Sequence, residues 1–224
     1  MQPIVLDLFC GEGGAGKGYL DAGFSALGVD NDARALRRYP GGPWFDDWRD
    51  GLRTWAVNAD LIHASPVCKR YSVATRNANR VSHPDQIAEV REALIATGKP
   101  YVIENVPGAP LRDPAELCGC MFWLSGWVNN CLLSIYRPRL FEASFPILVP
   151  AHNAHDGIAL DAFGHGSKGA FYKRYGFGVP AADAKRIMGT PWMTRDGMSQ
   201  SIPPAFAEFI GREFLASAAL KAAA

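Results

Sequence analysis

The sequence has no apolar run approaching the ~18 residues that span a bilayer. Nor do its first residues carry the basic flank of a secretory leader. A cytoplasmic protein without a membrane partner is the expectation. Cysteine is scarce: there are five (Cys10, Cys68, Cys118, Cys120, Cys131), an odd number at irregular spacing. That argues against a disulfide framework and for reduced thiols. Cys118 and Cys120 have no second ligand pair in an obvious metal spacing, and His152 and His155 have no evident third and fourth ligand. Both pairs read as structural, and no metal is expected. Neither sign of charge dominates, with 23 Lys and Arg against 22 Asp and Glu; this balance neither demands nor excludes nucleic acid. No internal repeat is present, which removes the solenoid architectures.

Acid is missing locally. Between Lys69 and Pro84 stand Lys69, Arg70, Ser72, Arg76 and Arg80, with no carboxylate among them. Between His165 and Gly178, Lys168, Lys173 and Arg174 are interleaved with Phe171, Tyr172, Tyr175, Phe177 and several glycines. Cations and flat rings on a flexible backbone suit phosphate and base contacts. For each segment alone, a solvated loop is the competing reading.

What is present is an alternation of strands and helices. The runs "PIVLDLF" (Pro3 to Phe9), "SALGVD" (Ser25 to Asp30), "ADLIHAS" (Ala59 to Ser65) and "PYVIENV" (Pro100 to Val106) read as buried strands. Between the last two, Ile87, Val90, Leu94 and Ile95 have helical spacing. "DARALRRY" is helix-like, and "PPAFAEFIGREFLASAAL" is a final helix with Pro203 and Pro204 at its start. The pattern predicts an α/β fold with a mostly parallel, doubly wound sheet. The organisation expected is a main domain over residues 1–144, a small glycine- and aromatic-rich insertion over 145–180, and a returning segment over 181–224.

The turn after the first strand reads G-E-G-G-A-G-K, Gly11 to Lys17. A phosphate-binding P-loop needs Ser or Thr after that lysine to ligate Mg²⁺, and Gly18 stands there instead. The alternative is a strand-to-helix turn in which Gly11, Gly13 and Gly14 let an adenosine cofactor approach the backbone, with Asp30 placed for ribose hydroxyls. Further on, "SPVCKRYS" sets Cys68 just past the third strand, and "IENV" sets Glu104 and Asn105 at the end of the next. Carboxyl ends of strands are where open α/β sheets hold ligands. A thiol and a carboxyl there can converge on one substrate.

In order along nearly the whole chain, these segments resemble the DNA cytosine-5 methyltransferases, especially compact bacterial and phage forms. "DLFCGEGG" is similar to the motif that holds S-adenosylmethionine, and "GVDND" to the one carrying the ribose-binding acid, here Asp30. "WRDGL" is similar to the motif near the adenine, matching Asp50. "SPVCKRYS" resembles the nucleophile loop, "ENV" the motif whose glutamate holds the cytosine, "RPRLFEAS" the paired arginines, and "SQSIPPAFAEFIG" the segment that closes the cofactor pocket. The chain departs from the family pattern at Val67, Lys69 and Ser199-Gln200.

The resemblance implies a Rossmann-like class I methyltransferase with a small target-recognition region. S-adenosylmethionine would be its cofactor and S-adenosylhomocysteine its product. The residues implied at the cofactor are Asp7, Phe9, Gly11, Gly13, Gly14, Asp30, Asp50, Pro66, Gln200 and Ser201. Those implied in catalysis are Cys68, Glu104, Arg137 and Arg139, with the Cys68 thiolate favoured by Lys69 or nearby arginines. Double-stranded DNA would be the partner of a monomer, contacted by Lys69, Arg70, Ser72, Arg76, Arg80, Lys168, Lys173 and Arg174. The brevity of the 145–180 region predicts a recognition sequence of about two to four base pairs.

Overall fold

Alternation along the inner strands sorts their side chains onto two faces. In β1 (Ile4–Leu8), Val5 joins one apolar cluster while Leu6 and Leu8 join another; β4 (Leu61–Ala64) divides Leu61 from Ile62 and Ala64 in the same way. Such strands need cover on both sides, and helices supply it. The structure is a computed structural model that describes residues 2–72, 82–160 and 167–223. On one face lie α1 (Gly14–Asp21) and the long α8 (Pro204–Ala223), where Tyr19, Phe24, Phe141, Phe206 and Ile210 are buried together. On the other lie α3 (Trp48–Trp55) and α4 (Ile87–Ala96), burying Trp48, Leu52, Val90 and Leu94.

The main sheet has seven strands in the order β3-β2-β1-β4-β5-β9-β6. β2 (Ser25–Asp30), β3 (Gly42–Phe45) and β5 (Tyr101–Asn105) run parallel with β1 and β4. A short α2 (Ala33–Leu36) joins β2 to β3. The antiparallel strands β6 (Ala115–Leu117) and β9 (Arg139–Ala143) complete the sheet. The strand order reverses between β1 and β4, the place at whose carboxyl ends open α/β sheets hold ligands. The expected doubly wound α/β fold is therefore present.

A second, three-stranded sheet forms a small lobe. β7 (Ser125–Val128) and β8 (Cys131–Ser134) form a hairpin whose turn residues Asn129 and Asn130 both take positive φ, 47° and 59°. Asparagine tolerates this geometry, which two-residue hairpins require. β10 (Ile158–Ala159) pairs with β8. Val128, Leu133, Leu160, Ile187, Met188 and Met198 bury a third apolar cluster with α6 (Ala181–Met188) and α7 (Arg195–Gln200). The 165–178 segment is not a loop throughout: Ser167–Tyr175 forms α5. Phe171 packs on Tyr175 and Phe177, with ring centroids 4.7 and 5.6 Å apart, so two of the expected base-contacting rings help cover the lobe's core.

Among the described residues, no helix is long and apolar enough to cross a membrane.

Candidate active site

β1 ends in a strained turn. Phe9, Gly11 and Gly13 all have positive φ (60°, 53° and 86°), and the chain then enters α1 with no side chain capping its first amides. The first turn of α1 contains no acid. The helix thus starts without a side-chain N-cap, while the Asp7 carboxyl beneath it accepts the Gly16 N–H. The loop is tied down from several sides. Asp30 Oδ2 accepts the Gly11 N–H at 2.8 Å, and its Oδ1 accepts the Asp32 N–H at 2.9 Å. Glu12 accepts the N–H and hydroxyl of Thr194 at 2.6 and 2.5 Å, and its carbonyl accepts Trp192 Nε1 at 2.8 Å. A Cβ on Gly14 would fall 1.8 Å from Ser201 Oγ, so only glycine lets the last motif close on the first.

Lys17 does not serve this loop. Its ammonium pairs with Asp21 one helical turn on. At Gly18 a Cβ would stand 2.1 Å from the Pro204 carbonyl, which leaves no room for the Ser or Thr of a P-loop. Gly18→Ser is accordingly expected to cost about 1–3 kcal/mol of stability by prising α1 from α8; a chemical denaturation curve indistinguishable from wild type would contradict the packing.

The chemistry-bearing groups converge on the ends of β4, β5 and β9. Cys68 lies in the loop after β4, half-buried. Asn105, wholly buried at the end of β5, donates from Nδ2 to the Pro66 carbonyl at 3.0 Å and fixes that loop to the neighbouring strand. The N–H groups of Tyr71 and Ser72 both donate to the Cys68 carbonyl at 3.0 Å, turning the chain directly after the thiol. Glu104 is buried beside Arg139, whose Nε lies 3.1 Å from Glu104 Oε1. Arg137, at φ 38°, donates from Nη2 to the Ser199 carbonyl at 2.5 Å, linking the paired arginines to the last motif.

Burial governs the titration here. It pushes the Cys68 thiol above its ordinary value, the Glu104 charge adds to this, and Arg139 and Arg137 offset only part. The expectation that Lys69 or the arginines leave the free thiol readily ionised is therefore corrected. Lys69 is exposed and plays no part in the shift, and the arginines are outweighed by desolvation and Glu104. Glu104 is itself raised by burial, against Arg139 and a Ser65 hydrogen bond. Arg137 is pushed down to about 9 by burial and then by Arg139, so it stays cationic near neutrality. Behind Ser65, His63 is wholly buried and lowered to about 3 by burial, hence neutral. Its ring nitrogens lie 3.0 Å from Ser65 Oγ and 3.0 Å from the Tyr19 hydroxyl. Glu104 is thus backed by a buried polar chain of which the sequence displayed no pattern.

Other expected positions divide. Phe9 lies against Trp48, with centroids 5.6 Å apart, beside the glycine turn. Pro66 is buried at the start of the Cys68 loop, Gln200 is exposed and Ser201 half-buried. Asp7 is 1% exposed and accepts the Tyr39 hydroxyl at 3.2 Å; burial pushes its carboxyl up to about 7 against that bond. It braces the turn from beneath. Asp50 sits in the first turn of α3, paired with Arg53, whereas the acid following β3 is Asp46.

Among the expected DNA contacts, Lys69 is exposed and Arg70 Nη1 donates to the His83 carbonyl at 3.3 Å. Lys173 and Arg174 are exposed on α5. Arg76, Arg80 and the side chain of Lys168 lie outside the described residues. Glu12 and Asn105 were not expected as site residues. Glu12 lay in plain view inside the glycine motif, but its Thr194 partner is 182 residues away.

No family model and no curated protein matches the chain. Solved structures do. The Entamoeba histolytica methyltransferase EhMeth aligns over 96% of this chain and 98% of its own, at 13% identity and a TM-score of 0.55. The S. pombe Dnmt2 methyltransferase aligns over 99% of both chains, at 14% identity and a TM-score of 0.54. The chain spans about half the length of another similar structure, a DNMT2 variant from Spodoptera frugiperda: 54% of that chain at 17% identity, with a TM-score of 0.42. The fold is that of the Rossmann-like methyltransferases.

Proposed function

We propose that this protein, as a monomer, transfers a methyl group from S-adenosylmethionine to carbon 5 of cytosine in double-stranded DNA. The observation that carries this reading is the convergence of Cys68 with the Glu104–Arg139 pair at adjoining strand ends, next to the glycine turn of β1. The residues of that turn suit an adenosine cofactor. Space is open beside Gly11, α1 starts without a side-chain N-cap, and Asp30 stands at the end of the second strand. When bound, the cofactor supplies an electrophilic methyl group.

Carbon 5 of cytosine is too weak a nucleophile by itself. Addition of the Cys68 thiolate to carbon 6 makes the ring an enamine, which places electron density on carbon 5. Glu104, its carboxyl raised by burial, is suited to donate a proton to ring nitrogen 3 and to accept from the exocyclic amine. Arg139, paired with Glu104, would bind the carbonyl oxygen at position 2, and Arg137 would fix the loop through its bond to the Ser199 carbonyl. Loss of the carbon 5 proton after methylation expels Cys68 and restores the aromatic ring. The target base must leave the stack, at a cost of a few kcal/mol. Phosphate contacts from Lys69, Arg70, Lys173 and Arg174 would help offset that cost.

The test is methyl transfer from labelled cofactor to duplex DNA and, in parallel, to tRNA, followed by nuclease digestion. The proposal expects 5-methylcytosine from DNA. Product from tRNA alone would move the same chemistry to RNA, and a methylated adenine or N4-methylcytosine would overturn the mechanism.

Three further outcomes follow. Glu104→Gln keeps the shape but removes the titrating proton, so kcat is expected to fall ~10²–10³-fold while cofactor affinity stays; single-turnover rates and cofactor titration measure the two separately. Because the thiol titrates above its ordinary value and only thiolate adds to the ring, kcat/KM should rise from neutral into mildly alkaline pH. A profile that falls over that range would contradict Cys68 as the group being ionised. For DNA, Lys173→Glu with Arg174→Glu should lower the log–log salt slope of binding by about two if both touch phosphates.

A further inference from the structure

We propose that the protein carries a structural zinc site formed by Cys118, Cys120, His152 and His155, away from the chemistry described above. The pairs come from distant parts of the chain. Cys118 and Cys120 flank the start of the 3-10 turn Gly119–Phe122, after β6, while His152 and His155 lie on the irregular stretch before β10. One ligand atom from each of the four lies within 4.8 Å of all the others. The earlier reading, in which each pair lacked its complement, is corrected: each supplies what the other needed.

The separations have the size that a tetrahedral ion requires. With Zn–S near 2.3 Å and Zn–N near 2.0–2.1 Å, ligands at the tetrahedral angle stand about 3.6 Å apart across a sulfur–nitrogen edge. Cys118 Sγ is 3.5 Å from His155 Nε2, and Cys120 Sγ is 3.6 Å from His152 Nε2. Two thiolates with two imidazoles form a donor set that suits zinc, and four protein ligands make a closed site with no open position for catalysis.

The surroundings are built to hold the ligands in place. The Tyr136 ring stacks on His155 at 3.7 Å and 11°. The Tyr136 hydroxyl donates to the Gly157 carbonyl at 2.9 Å and accepts the Gly157 N–H at 3.0 Å, and Asn153 Nδ2 donates to the Cys120 carbonyl at 2.9 Å. The thiol proton that Cys118 shares with the Tyr136 carbonyl, 3.2 Å away, is one that metal binding would release to solvent. Both cysteines are buried, while the histidines face solvent. Zinc would therefore pin an exposed strap, which by itself has little apolar surface to bury, onto the main domain. Tyr136 directly precedes Arg137. The strap thus braces the base of the arginine loop as well as the entry to β10.

The experiment is metal analysis of protein purified without chelator, by inductively coupled plasma mass spectrometry, with cobalt(II) substitution read by visible absorption. The proposal expects one zinc per chain and, after exchange, the ligand-field and thiolate charge-transfer bands of tetrahedral cobalt. Cys118→Ser and Cys120→Ser should lose both signals, while Cys131→Ser and Cys68→Ala should keep them. His152→Gln and His155→Gln, at exposed positions, serve if a cysteine variant does not fold. Stripping zinc should lower Tm, and adding it back should restore it. Reduced wild-type protein that holds no zinc and gives no tetrahedral cobalt spectrum would overturn the site, as would unchanged metal content in the histidine variants. None of these readings depends on methyl transfer.

Discussion

Cys68→Ala should abolish methyl transfer, with a fall of ~10³-fold or more in single-turnover rate, while leaving the fold and cofactor affinity intact. The reason is geometric as well as chemical. Cys68 is half-buried in a loop whose path is fixed by the Asn105–Pro66 bond and by the Tyr71 and Ser72 amides, none of which involves the side-chain sulfur. Removing sulfur takes away the only thiol facing Glu104 and Arg139 among the described residues, yet breaks no described bond that holds the loop. A serine there would restore shape without nucleophilicity, so Cys68→Ser should be as inactive as the alanine variant. Residual activity within tenfold of wild type would mean that covalent addition is not required.

The second large effect is on stability. Arg91 on α4 and Glu142 on β9 are both buried and form a two-pronged pair, Nε to Oε1 and Nη2 to Oε2, each at 2.7 Å. Glu142 also accepts the Arg112 N–H at 2.8 Å, and Arg91 donates to the Pro110 carbonyl at 2.8 Å. Deleting one partner leaves the other charged in a dry setting. Glu142→Ala or Arg91→Ala is expected to cost ~3–5 kcal/mol, lowering Tm by roughly 10 °C or more. The double variant should cost less than the sum of the singles.

A pH dependence accompanies this pair. Burial alone would raise the Glu142 carboxyl, but the Arg91 hydrogen bonds and the Arg112 amide win and hold it below its ordinary value. Its contribution is therefore present above the unfolded value and is lost as pH falls through the folded one. Glu142→Gln should show a weaker loss of stability with acid than wild type in denaturant titrations at successive pH values. Equal acid sensitivity would contradict the assignment.

The parallel sheet was legible because its strands are short apolar runs that stop at residues with a task. Ser25–Asp30 ends on the acid that fixes Gly11, and Tyr101–Asn105 ends on Glu104 and Asn105. The β7–β8 hairpin was not, because Asn129-Asn130 is a weaker turn signal than Asn-Gly and its strands hold glycine and serine beside Trp127. Helix α5 was hidden by Gly169 and by aromatic residues, both poor helix formers, and tertiary contact from Phe171 outweighs their preference.

Among the residues that meet at the strand ends, those carried by local motifs were legible and those held by distant partners, such as Glu12, were not. Asp50 illustrates the limit: within "DDWRD" the acid next to the strand is Asp46, four residues earlier, and Asp50 falls on a helix. The four candidate zinc ligands show it most clearly. Each pair is unremarkable by itself, and only the fold brings Cys120 to His152.

Covalent capture tests the central claim most directly. The protein is incubated with cofactor and a duplex oligonucleotide carrying 5-fluorocytosine, in which fluorine at carbon 5 cannot leave as a proton does, and the product is digested and read by peptide mass spectrometry. The account predicts a stable protein–DNA adduct on the peptide that contains Cys68, absent in Cys68→Ala. An active protein that forms no adduct, or one bonded through a different residue, would contradict it.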